Sequence, residues 1–167
     1  MIRRSATLAT VAAALALAAC AKKAPQDLPP PPVDQSANQT PPPSGPIPGS
    51  QEDFVASVLS DTVHFDLDQS TIREQDKAIL QSQAQWLARY PNKRITIEGH
   101  ADERGTRDYN LALGERRANE TKNYLASLGV DPSRVSTISY GKERPIALGS
   151  DEASWAQNRR AVTVTVQ

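Results

Sequence analysis

Asp102 closes the stretch RITIEGHAD, and Asn110, Leu113, Gly114 and Arg117 follow it at spacings of three and four. Such spacings place four residues on one face of a helix, near its start. A carboxylate leaving the end of a strand can accept hydrogen bonds from an ammonium group, and charge-assisted bonds are roughly twice as strong as neutral ones. The planar fork of Arg117 suits a carboxylate, and the free N–H groups of a helix start around Thr106 to Tyr109 favour an anion in the same place. An acid and an arginine so placed bracket a zwitterion, with Gly114 leaving room for a ligand or for nearby backbone. The same spacing is equally compatible with an internal ion pair in which Asp102 helps to cap the helix.

Other chemistries find little support. Glu98, His100 and Asp102 alternate as metal ligands on a strand could, but the chain has two histidines and its one cysteine lies far upstream, so neither a metal nor a cofactor is expected. No serine, cysteine or histidine stands beside a base as an activated nucleophile, and no phosphate-binding loop is present. Asp102 and Glu103 would be the acid and base of a hydrolase, the alternative class of function. Adjacent residues in a strand or turn point apart, so the chain is not expected to be an enzyme. Charge balances at 19 basic and 19 acidic residues without a basic stripe, which argues against nucleic acid as a partner.

The elements that must position these residues are legible from residue 53 onward. In TVHFDLD, Val63, Phe65 and Leu67 alternate with His64, Asp66 and Asp68, which predicts a half-buried strand. Thr71 and Glu74 have capping-box spacing before a helix carrying Ile79, Gln83, Trp86, Leu87 and Tyr90, ended by Pro91 and Asn92. RITIEGHA predicts a second strand. A second helix over about 108–128 carries Leu111, Ala118, Thr121, Leu125 and Leu128 on one stripe, with Gly129 as its C-terminal cap. VSTISYG, a loop, a short helical turn near Glu152 to Gln157, and AVTVTV complete the chain. The fold class is α+β: a two-layer sandwich of βαβαββ order, with a mixed sheet and helices on one face.

Upstream, residues 1–19 form a basic start and an Ala-rich apolar run of about 15 residues, too short to span a membrane but suited to a secretory signal. Leu17, Ala18, Ala19 and Cys20 resemble the lipobox of bacterial lipoprotein precursors. That resemblance implies acylation of Cys20, and Ala21 and Lys22 after it imply export to the outer membrane. Each buried methylene of an acyl chain contributes about 0.8 kcal/mol, so the expected anchor is permanent. With Arg3 and Arg4 removed, the mature chain holds 17 basic against 19 acidic residues. Ten of the 13 prolines fall in 21–52, so 20–52 is expected to be a lipid-anchored, disordered linker reaching on the order of 100 Å if fully extended. Residues 53–167 are expected to be the folded domain.

GHADERGTRDYNLALGERRANETKNYL, SYGKERP and NRRAVTV together resemble the OmpA-like C-terminal domain family, and within it the peptidoglycan-associated lipoproteins. The resemblance covers the lipobox and essentially all of 60–166. It implies non-covalent binding of meso-diaminopimelate in the peptide stem of peptidoglycan, a molecule that offers an ammonium and carboxylates close together. The contacts it carries over are Asp102 and Arg117, then Leu67, Asp68, Arg104, Thr106 and Leu113. Leu67 stands where relatives often have an aromatic residue, which loosens that contact. Asn158, Arg159 and Arg160 match the family pattern too, and closing the last strand against the loop is an equally good role for them. The resemblance also implies membership of the Tol-Pal system, with TolB as a partner. A flagellar-stator anchor with the same domain would need a spanning helix that this chain lacks.

Overall fold

The alternating stretches become four strands, β1 (Thr62–His64), β2 (Arg94–His100), β3 (Val135–Gly141) and β4 (Arg160–Val166), in a computed structural model that describes residues 45–166. The signal peptide expected at 1–19, the acylated Cys20 and most of the linker lie outside the described residues. In the sheet the order is β1-β4-β2-β3. The β2 strand pairs antiparallel with β4 and parallel with β3, while β1 pairs antiparallel with β4. A mixed sheet and an α+β class are as expected.

Four helices alternate with the strands: α1 (Gln51–Ser57), α2 (Lys77–Arg89), α3 (Arg107–Ser127) and α4 (Glu152–Asn158). Alternation along β2 sends Ile95 and Ile97 into the core with no exposure, where they join Leu80 and Leu87 of α2 and Ala118 and Leu125 of α3. Burying one such side chain contributes about 1.5–3 kcal/mol, so this layer holds the sheet and helices together. Gly99 and Gly114 set how closely α3 approaches β2. A Cβ on Gly99 would lie 1.8 Å from the Gly114 carbonyl oxygen, so the space beside Gly114 is filled by backbone.

Several local expectations change. The helix α1 begins at Gln51, inside the stretch read as linker, because Ser50 caps it by accepting from the Asp53 N–H and because Phe54 packs edge-on against Trp86 at 5.0 Å. β1 ends at His64 rather than running to Asp68. Beyond it the Phe65 N–H still bonds to the Arg159 carbonyl, and the chain then turns through Asp68, whose φ is 60°. Asn and Asp tolerate that left-handed region better than most residues. Thr71 and Glu74 form no capping box; a 3₁₀ turn over Glu74–Asp76 leads into α2, with Arg73 paired to Asp76 at 2.5 Å. On α3 the buried face is Asn110, Leu113, Gly114, Arg117, Ala118, Thr121 and Leu125, so Leu111 and Leu128 fall outside the stripe drawn from hydrophobicity. Gly129, at φ 96°, ends α3 as expected, with the Val130 N–H returning to the Leu125 carbonyl.

Candidate functional site

Past His100 the chain leaves β2 and turns through 101–106 before Thr106 caps α3, its hydroxyl accepting from the Tyr109 N–H at 3.3 Å. Asp102 sits in this turn, 6% exposed. Its Oδ1 accepts from the backbone N–H of Arg104 at 3.1 Å and its Oδ2 from Arg104 Nη2 at 2.6 Å, with Arg159 Nη1 a further 3.5 Å away. Burial alone raises the pKa of this carboxyl. The bonds from Arg104, its charge and the bond from Arg159 outweigh that, and hold the group below the ordinary carboxylate value. Asp102 is therefore a fixed anion, paired with Arg104 and Arg159.

Arg117 takes a different part from the one its spacing suggested. It is fully buried and forms no ion pair with Asp102; its Nε donates to the Gln69 carbonyl at 2.9 Å, Nη1 to His100 at 2.8 Å and Nη2 to Asp66 at 3.2 Å. The guanidinium also lies over the Phe65 ring at 5.2 Å. Burial pushes its pKa down to about 10, partly countered by the charge of Asp102. Arg117 thus ties the 66–69 turn to the end of β2, and two of its five N–H groups remain beyond those three bonds.

Between these parts opens a cleft of about 410 Å³, lined by Leu67, Asp68, Asp102, Arg104, Tyr109 and Leu113, with Gly105, Asn110 and Arg117 completing the wall. Six of the seven expected contact residues meet there. Thr106 does not line it; it positions the helix that does. Tyr109 was missed by the sequence reading. Its hydroxyl donates to the Asp68 carboxylate across the mouth, which pushes the phenol pKa up. The signal was available, since Tyr109 and Leu113 are four apart and share a helix face. Asn110 Nδ2 donates to the carbonyls of Arg104 (2.8 Å) and Thr106 (3.1 Å) and shapes the turn.

Contacts from α4 fix Arg104. Its guanidinium stacks on Trp155 of α4 at 4.0 Å, and Trp155 Nε1 donates to Glu103 Oε1 at 3.0 Å, so Glu103 turns away from Asp102. Lys142 donates to the carbonyls of Glu103 and Gly105. Arg159 reaches the Phe65 carbonyl (3.0 Å), Asp102 and Glu152 (2.7 Å), and Asn158 bonds to Ile146 and Ala147. The NRR segment therefore closes the end of β4 against both neighbouring loops. Among the described residues no cluster has the makings of a metal site.

His100, 2% exposed, has no hydrogen-bond partner on either ring nitrogen; it lies against Tyr140 at 5.5 Å. Burial first, then the charges of Arg160 and Arg144, lower its pKa to about 4. In the unfolded chain a histidine binds its proton near pH 6.5, so between about 6.5 and 4 the unfolded state holds more protons and stability falls as pH falls. The integrated loss is about 3 kcal/mol. Urea denaturation at pH 7 and pH 4.5 should show most of that loss, about 2 kcal/mol, and His100→Phe should flatten it.

The fold and cleft define a small α+β binding domain of the OmpA type: the chain belongs to the OmpA family, whose model matches residues 64–159. It is 52% identical over 163 residues to the peptidoglycan-associated lipoprotein of Rhizobium meliloti, covering 98% of this chain and 89% of that one. To the lipoprotein of that name from Agrobacterium fabrum it is 62% identical over 117 residues, covering 70% of this chain and 66% of the relative. Among solved structures, the peptidoglycan-associated lipoprotein from Burkholderia pseudomallei superposes with a TM-score of 0.64 at 46% identity, over 68% of this chain and 100% of that one.

Proposed function

We propose that this chain is an outer-membrane lipoprotein, anchored through Cys20, whose domain faces the periplasm and binds the peptide stem of peptidoglycan non-covalently. It tethers the outer membrane to the cell wall as a component of the Tol-Pal system, with TolB as a partner, and supports envelope integrity and cell division. The observation that carries the reading is the cleft, where fixed charges of both signs meet within one small volume. Asp102 and Asp68 offer acceptors to the ammonium of diaminopimelate. Arg104, whose side chain is one third exposed, offers donors to its carboxylate, and Arg117 adds the two N–H groups left over from its carbonyl bonds. The relatives' shared name supports association with peptidoglycan, and the lipobox and Pro-rich linker supply anchor and reach.

The test is pelleting of residues 20–167, with Cys20→Ser, on diaminopimelate-containing cell wall. Asp102→Ala should weaken retention on the order of 100-fold, the value of one or two charged hydrogen bonds. Because Asp102 also holds two arginines, Asp68→Asn is the cleaner variant: it should lose binding while thermal stability is kept. Undiminished pelleting of both folded variants, or turnover of muropeptides by the unmodified chain, would sink this reading.

A further inference from the structure

At the other end of β2 lies a second cleft of about 330 Å³, lined by Arg89, Tyr90, Pro91, Asn92, Lys93, Arg94 and Val166. The strand β2 runs from Arg94 to His100, so its two ends, each bearing one of the clefts, lie about 20 Å apart. Three cations crowd into six positions here, and among the described residues none of Arg89, Lys93 and Arg94 forms a salt bridge. The acid beside them is already engaged: Asp53 accepts from the Gly49 N–H at 2.9 Å and from Trp86 Nε1 at 3.0 Å. Apolar side chains stand out at the same end, with Val166 43% and Ile47 73% exposed. Gly49 packs directly on this cleft, 3.1 Å from its Cβ position to Lys93 Cε and 3.4 Å to the Tyr90 ring. The segment leading back to Cys20 therefore joins the domain where its unpaired basic residues are.

We infer that this basic, apolar-edged end of the domain is a docking surface for an anionic phospholipid membrane. Guanidinium and ammonium groups without an ion-pair partner pair with phosphate diesters at a lipid surface. Tyrosine and short apolar side chains suit the headgroup level, where one end of a ring is wet and the other is not. The occupant follows from attachment: the surface closest along the chain is the membrane that holds the acyl chains of Cys20, so the inference rests on the anchor proposed above. Each basic residue near an anionic lipid surface strengthens partition about fivefold, so three give on the order of 100-fold. The two clefts face opposite ends of the sheet, so the domain can lie on lipid with its wall cleft still open.

The test is flotation of residues 20–167 bearing Cys20→Ser, so that no acyl chain contributes, with vesicles of phosphatidylcholine alone or of equimolar phosphatidylcholine and phosphatidylglycerol. Binding is expected only to the mixed vesicles, and should fall on the order of 100-fold in Arg89→Gln/Lys93→Gln/Arg94→Gln and fade as salt rises. A second variant, Ile47→Asp with Val166→Asp, should weaken it with all three cations intact. Equal binding to both vesicles, or full binding by the folded triple variant, overturns the inference. So does release by millimolar inorganic phosphate at constant ionic strength, which would mark a free-phosphate site. Pelleting on cell wall by the triple variant should be unchanged. Loss of vesicle binding with wall binding kept is the expected separation, and failure of wall binding in the unmodified chain would strike the other proposal instead.

Discussion

Replacing Arg117 by alanine is expected to cost the domain about 3–5 kcal/mol of unfolding free energy, the range seen when one partner of a buried charged network is removed. The side chain has no exposure, and the carbonyls of Gln69, His100 and Asp66 would each lose a charged donor. Each orphaned acceptor adds a desolvation penalty, and the space over Phe65 would be left as a cavity. Arg117→Lys should recover little, because an ammonium cannot reach three carbonyls held by a planar fork. Chemical denaturation checks the size of the loss. Wall pelleting well below the unfolding midpoint checks its second consequence, because the released 66–69 turn carries Leu67 and Asp68 of the cleft. An arginine needed only by the ligand would leave the denaturation midpoint where it was.

Gly99→Ala should be harsher still. The added carbon would lie 1.8 Å from the Gly114 carbonyl oxygen and 3.2 Å from Ala118 Cβ, and neither the strand nor the helix backbone can step aside without parting the two layers. A loss above about 4 kcal/mol is expected, enough to abolish a soluble, cooperatively melting domain. Gly114→Ala is the informative partner. Its first conflict, at 2.4 Å, is with the Ser139 hydroxyl, which can rotate, while the Gly99 carbonyl at 2.9 Å cannot. Purified yield and thermal melting should therefore rank Gly114→Ala above Gly99→Ala. Equal behaviour would mean that the layers are less tightly fixed than these distances require.

The strands β2, β3 and β4 and the helix α3 were legible because each carries its period over seven residues or more. The mixed sheet followed from the same pattern. Strand order was not legible, because alternation says which face of a strand is buried and not which neighbour it pairs with. β1 came out shorter than its alternation, since its pairing ends where Arg159 takes over the Phe65 carbonyl. The helix α1 escaped notice because its seven residues follow a proline-rich run and bury only Phe54. In the cleft, residue types and positions could be read, but partners could not. Asp102 and Arg117 share a helix-to-strand spacing that suits an ion pair, yet the guanidinium found three backbone carbonyls and the carboxylate found Arg104, two residues away. Backbone acceptors carry no mark in a sequence, so the buried arginine looked like a free one.

The small helix α1 has a mechanical consequence. A pull arriving from residue 45 reaches Gly49 and α1 before any strand. There it meets the Ser50 cap, the Asp53 bond to Trp86, Phe54 wedged beside that ring, and Gln51 Oε1 accepting from the Thr165 N–H. These contacts lie at the opposite end of β2 from Asp102. Were they to let go first, the 13 residues from Gly49 to Asp61 could pay out on the order of 40 Å of chain. The sheet and the cleft around Asp102 would stay whole while that slack absorbed the extension, so under the proposed tethering function α1 is a strain relief between anchor and load.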